Sequence, residues 1–153
     1  MNQPSSSESA RPSAGVLRRF AAMFYDSLLV IAIMMVVTAA LLPLTGGEAI
    51  TVDRFGALAY AYRLLLLAVI ALFFGLFWTR RGQTLGMAAW RLRIEREDGQ
   101  LPTWGDALLR LACATLSLLA VGIGYFWMWV DRDHLTWHDR WSHTRTVVLP
   151  KRR

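Results

Sequence analysis

Cysteine is almost missing from this chain: Cys113 is the only one among 153 residues, which removes any intrachain disulfide and any cysteine-based metal cluster. Set inside an apolar run, it reads as a small packing residue. Acidic residues are also few, 11 against 17 Lys and Arg. No GxxxxGK[ST] phosphate loop, dinucleotide fingerprint, nucleophile elbow or internal repeat is present. Histidines number three; His134 and His138 stand at a spacing that can hold a metal on one helix face. HLTWH lacks the glutamate of the HExxH pattern and no third ligand stands out, so these are weak metal candidates. Neither a metal nor a cofactor is expected.

What the chain has instead is apolar length. Hydrophobic residues make up 55% of it and the mean hydropathy is +0.34, above the roughly 45–50% of an ordinary soluble domain. The net charge of +6 comes from arginines that flank the apolar runs, where they orient a membrane protein, and no nucleic-acid partner is expected. The pattern predicts an all-α integral membrane protein of one domain over 16–149. Residues 1–15, MNQPSSSESARPSAG, are rich in Ser and Pro and are expected to be a disordered tail. Residues 150–153 form a basic tail. The apolar run after Arg18 and Arg19 is too long for a signal peptide and carries Asp26, so it is expected to be retained.

Three apolar spans are expected, over about 20–44, 57–78 and 107–130, since roughly 20 residues cross the hydrocarbon core. Pro43, Gly46 and Gly47 end the first. Arg63 near the start of the second can snorkel, with Trp78 at its opposite edge. The third ends in the aromatic cluster Tyr125, Phe126, Trp127 and Trp129 of an interfacial belt. Between spans two and three, the loop 79–106 carries Arg80, Arg81, Arg91, Arg93 and Arg96 and should be cytoplasmic. In it, Leu85, Ala88, Ala89 and Leu92 suit a short surface helix. Leu92 and Ile94 followed by Glu97-Asp98-Gly99-Gln100 suit a strand and turn equally well.

The linker between spans one and two, with Glu48, Asp53 and Arg54, is poor in positive charge and reads as the outer side, leaving the N-terminus cytoplasmic. Three full crossings would then put the C-terminal tail outside, although it carries Arg132, Arg140, Arg145, Lys151, Arg152 and Arg153. A break of the third span near Gly122 and Gly124 into a re-entrant hairpin resolves the conflict and returns the C-terminus to the cytoplasm. Each half of about 12 residues would cover only ~18 Å, too little to cross twice.

Asp26 follows Arg19 on the same helix face, about 10 Å along the axis. A carboxylate in a membrane helix costs about 2.5–3.5 kcal/mol on insertion scales and should find a partner, with Arg19, Arg18 or Arg110 available. Asp26 could serve as an ion or proton site; about two turns inside, it reads first as half of a structural ion pair. The GQTLG segment joins Gly82 and Gly86, which permit turns, to Gln83 and Thr84, which can cap a helix.

Three segments in order, LRRFAAMFYDSLLV, RRGQTLGMAAWRLRI and LTWHDRWSHTRTVV, resemble the RDD family of bacterial membrane proteins over about Val16 to Leu149. That resemblance places the family's arginine on Arg19, its first aspartate on Asp26 and its second on Asp139, with Asp131 as fallback. Members often carry a lysine where this chain has Met87, so a role of that lysine in contacting phospholipid or a partner does not transfer. The resemblance implies a multi-pass cell-membrane protein and says little of activity, which is undefined for most members. The chain is expected to be a non-enzymatic inner-membrane protein, an accessory or assembly component, with Arg19, Asp26, Asp139 and Arg110 as a charge network. Its partners would be membrane lipid and a second copy or another membrane protein. Sodium/proton antiport, linked to some members, is the alternative; a chain this small would need a partner to enclose a pathway.

Overall fold

The computed structural model describes residues 13–120, 123–131 and 135–150, apart from the side chains of Tyr125 and Met128. The tail up to residue 12, Gly122 of the expected break, Arg132, His134 and the basic residues 151–153 lie outside the described residues.

Two helices dominate. Helix α1 (Val16–Leu41) passes into a 3-10 turn at Leu42–Thr45, where Pro43 enters and Gly46 adopts a left-handed backbone. The short α2 (Val52–Phe55) leads to α3 (Ala57–Arg81). These two segments, Val16–Thr45 and Ala57–Arg81, are long and apolar enough to cross a membrane. Their large side chains point outward, Met35 at 67% and Leu64 at 66% exposure. A soluble protein rarely leaves so much contiguous apolar surface to water, whereas lipid accepts it.

The third apolar stretch, expected over 107–130 with a break near Gly122 and Gly124, is built of short pieces. Helix α5 (Trp104–Leu119) is 16 residues and, at about 1.5 Å per residue, ~24 Å long, short of the ~30 Å core. It starts on a capping box formed by Thr103 and Asp106 and ends at Ala120. After the undescribed pair come α6 (Ile123–Phe126) and a 3-10 turn at Trp127–Trp129. The Phe126 ring lies 6.0 Å from that of Phe20 at the start of α1. Phe126 thus sits beside the start of α1, and the described parts of 107–130 do not form one continuous helix.

The molecule is also not all-α. The loop 79–106 holds both of the alternatives left open for it: α4 (Leu85–Ala89) and, directly after, strand β1 (Leu92–Arg96). The tail forms α7 (Trp137–Trp141) and β2 (Thr144–Val148). The strands pair antiparallel, Leu92 opposite Val148 and Arg96 opposite Thr144, and Ser13 bridges to Val147 at the edge. Ile, Val and Thr favour this pleat, and the Arg145 guanidinium reaches the buried Glu95 carboxylate at 2.9 Å across it.

The core sits where this ribbon meets the helix ends: Ala22 of α1, Trp78 of α3, Met87 of α4, Leu92 and Ile94 of β1, and Ala107 of α5. Small residues allow the approach. At Gly75 of α3 an added Cβ would run into the Trp104 ring, which locks α5 against α3.

Candidate functional site

The site forms beneath the ribbon, one helical turn inside α1 and two inside α5. Helix α7 opens on a capping box: the Thr136 hydroxyl accepts from the Asp139 amide, and Asp139 Oδ2 accepts from the Thr136 amide at 3.3 Å. This fixes the Asp139 side chain, and two guanidiniums close on it. Arg19 Nη1 lies 2.5 Å from Oδ2 and Arg110 Nη1 lies 2.7 Å from Oδ1. Arg19 is braced by its Nε donating to the Ala14 carbonyl at 2.9 Å. Arg110 donates to the Thr144 and Thr146 hydroxyls at 2.6 and 2.8 Å and stacks 5.8 Å above the Trp78 ring. Asp139 is 1% exposed. Burial alone would raise its carboxyl, but the Arg19 and Arg110 guanidiniums outweigh that and hold it far below the usual carboxylate range.

His138 beside it is buried, with Nε2 at 2.9 Å from the Thr136 hydroxyl. Burial first, then the Arg110 guanidinium, push its pKa down to about 3, so the ring is neutral. His134, its expected companion for a metal, lies outside the described residues. Among the described residues no three His, Cys, Asp or Glu side chains converge as metal ligands.

Asp26 takes no arginine among the described residues, which corrects the expected pairing with Arg19, Arg18 or Arg110. Its Oδ2 accepts from the Thr84 hydroxyl at 2.5 Å and its Oδ1 from the Gly86 amide at 2.9 Å. The reason is proximity of backbone: at Gly86 an added Cβ would meet the Ala22 carbonyl and, at 2.8 Å, the Asp26 carboxylate. Each motif residue has its own task. Gly82, left-handed at φ +66°, ends α3 and its carbonyl accepts from the Ile94 amide at 2.7 Å. Gln83 Nε2 donates to the Leu92 carbonyl at 2.6 Å. Thr84 caps α4 by accepting from the Met87 amide. Asp131, the fallback for the second aspartate, pairs with Arg140 at 2.9 Å and accepts from the Leu135 amide.

The two halves of this cap repeat each other. Thr84 and Thr136 each cap a helix of five residues. A residue with positive φ follows, Arg91 or His143. A strand with the same burial pattern comes next in each. Exchanging counterparts turns the pair Leu92 with Val148 into Thr144 with Arg96, itself a pair of the ribbon. The two units are thus related by a local two-fold axis, with a carboxylate at the start of each short helix, Asp26 supplied by α1 and Asp139 by α7 itself. The sequence shows no repeat because the two units share hardly a side chain beyond the capping threonine.

A cavity of about 220 Å³ lies between α1, α3 and α5 and is floored by β1, β2 and α7. Arg19, Asp26, Arg110 and His138 reach it, and Phe74, Trp78, Leu111 and Leu118 wall it. Thr136, Thr144 and Thr146 escaped the sequence reading, which placed Trp78 only at the edge of the second span. The T-x-x-D spacing of Thr136 and Asp139 is a capping-box signal that could have found the first, and the alternating threonines of TRTVV the next two.

Fold and site together define a helical domain with two membrane-length helices and an arginine–aspartate clasp under a small mixed cap. The chain belongs to the RDD family, whose model matches residues 13–143. Family and apolar helices together point to a membrane protein. The chain matches no curated protein and no solved structure.

Proposed function

We propose that this protein is a non-enzymatic, multi-pass cell-membrane protein that serves as an accessory or assembly component. Its clasp of Arg19, Arg110 and Asp139 holds a rigid cap on the ends of the helices. The observation that carries this reading is the enclosure of Asp139: both carboxylate oxygens are occupied by arginine, threonine and backbone donors at almost no exposure. A carboxylate held charged far below neutrality does not exchange protons at working pH, so it suits a structural lock better than an ion carrier.

Topology supports the same reading. Hydrogen-bonded strands must lie on one side of a bilayer, so the chain between β1 and β2 crosses an even number of times, and α5 is too short for a crossing. The segments 104–120 and 123–129 then make no full crossing, as a re-entrant element requires. Arg18, Arg80, Arg81, Arg91, Arg93, Arg140 and Arg145 all belong to the cap end, while Glu48, Asp53 and Arg54 lie at the other, so the cap and the start of α1 are cytoplasmic. Lipid surrounds α1 and α3, and a second copy or another membrane protein is the partner.

The test pairs two measurements. Proteoliposomes of the wild type should show no proton flux on addition of sodium or lithium, and Asp139→Asn should reduce the size of the complex extracted from native membranes. Cation-driven flux that Asp26→Asn silences, with complex size unchanged in Asp139→Asn, would overturn the proposal in favour of antiport.

A further inference from the structure

The cavity between α1, α3 and α5 is lined by Arg19 and Trp78, and each carries a buried donor without a hydrogen-bond acceptor, Arg19 Nη2 and Trp78 Nε1. Both residues are more than nine-tenths buried. An unmet buried N–H costs about 1–3 kcal/mol, more on a charged group, so an acceptor is called for at this place. The walls beside them are apolar: Phe74, Leu111, Ala114 and Leu118. A site needs only about 10–15 Å³ by the same measure for one water, so 220 Å³ accommodates a chain.

Depth narrows the choice. Helix α3 has 25 residues, roughly 37 Å at 1.5 Å each, which overruns a ~30 Å hydrocarbon core by about 4 Å at each end. Trp78 stands three residues before Arg81, about 4.5 Å in from the end, and Arg19 stands three residues into α1. Both donors therefore lie at the boundary between hydrocarbon and headgroups, the level of the ester carbonyls of glycerophospholipids. Charge narrows it further. Arg19 and Arg110 already share the Asp139 carboxylate, so what the two open N–H groups lack is an acceptor oxygen.

We propose that this cavity is a phospholipid site, holding one acyl chain of a bilayer lipid along Phe74, Leu111 and Leu118 with an ester carbonyl on the Trp78 and Arg19 N–H groups. The proposal rests on α1 and α3 crossing a membrane and is independent of the clasp: complex size can stay unchanged in Asp139→Asn while lipid is still held.

Native mass spectrometry of the full chain in mild detergent tests it, with palmitoyl-oleoyl phosphatidylcholine and its ether-linked analogue as probes. The ester lipid is expected to be retained at one copy per chain, and the ether lipid roughly three- to tenfold more weakly, the worth of one hydrogen bond. Trp78→Phe keeps the ring against Phe74 but removes the N–H, so it should lower retention of the ester lipid to the ether level and leave the ether lipid unchanged. Ala114→Phe, which fills the cavity, should abolish retention of both. Equal retention of ester and ether lipid by the wild type, or wild-type retention of the ester lipid in Trp78→Phe, overturns the proposal, whatever Ala114→Phe does to folding. A tightly held isoprenoid quinone in place of glycerolipid overturns it as well.

Discussion

Replacing Asp139 with Asn removes one negative charge from between two buried guanidiniums while leaving the side chain nearly the same size. In the wild type, Arg19 and Arg110 share that carboxylate at 2.5 and 2.7 Å. The variant leaves both guanidiniums buried with no anion between them, and the new amide must turn an N–H toward one of them. Removing one partner of a buried ion pair costs about 3–5 kcal/mol, because the remaining charge is stranded rather than merely unpaired. Asp139 joins α1, α5 and the α7–β2 unit, so that cost should fall on docking of the cap, leaving α1 and α3 in place. Amide exchange in β2, read by mass spectrometry in detergent micelles, should accelerate about one hundred- to several-thousandfold, while α3 amides keep their protection. Arg19→Gln combined with Asp139→Asn returns the cluster to one net positive charge and should recover part of that loss. Exchange in β2 that rises less than tenfold in Asp139→Asn would refute the reasoning, since the carboxylate would then not hold the cap.

Three further outcomes follow from the same geometry. His138 is neutral when folded, with its pKa pushed down from 6.5 to about 3. Below 6.5 the unfolded chain therefore binds a proton that the folded one refuses, and stability should be lost on acidification through that window at about 1.4 kcal/mol per pH unit. Thermal melting between pH 7 and 4 should show that slope, and His138→Asn should flatten it. Gly86→Ala places a methyl against the Ala22 carbonyl and the Asp26 carboxylate; forcing α4 off α1 should cost about 1–3 kcal/mol, seen as a lower melting temperature and faster exchange in α4, with β2 spared. A cysteine introduced at Pro150 should react with an impermeant maleimide only in inside-out vesicles, because β2 and β1 share one side; labelling in right-side-out vesicles would break the topology.

The long apolar runs made α1 and α3 legible, since nothing but hydropathy over enough residues is needed to define them, and Pro43 and Gly82 mark their ends by local chemistry. The third run was read only in part, because hydropathy alone does not distinguish a crossing helix from one that buries a stripe of Ala107, Arg110, Cys113 and Ser117 and exposes its leucines elsewhere. The ribbon was half visible: Leu92 suited a helix with Leu85, Ala88 and Ala89 or a strand with Ile94 equally, and only pairing with the distant TRTVV defines the strand, a contact that no local window contains.

Asp26 shows the limit most clearly. Charge counting paired it with an arginine, the ordinary solution for a carboxylate in a membrane helix. Here the solution comes from backbone instead. Gly86 lets α4 approach α1 so closely that an amide N–H and the Thr84 hydroxyl reach the carboxylate, and this leaves both arginines for Asp139. One glycine thus decides how the charges of the site are shared. The GQTLG segment is consequently as much a part of the charge network as the aspartate it holds, although none of its residues is charged.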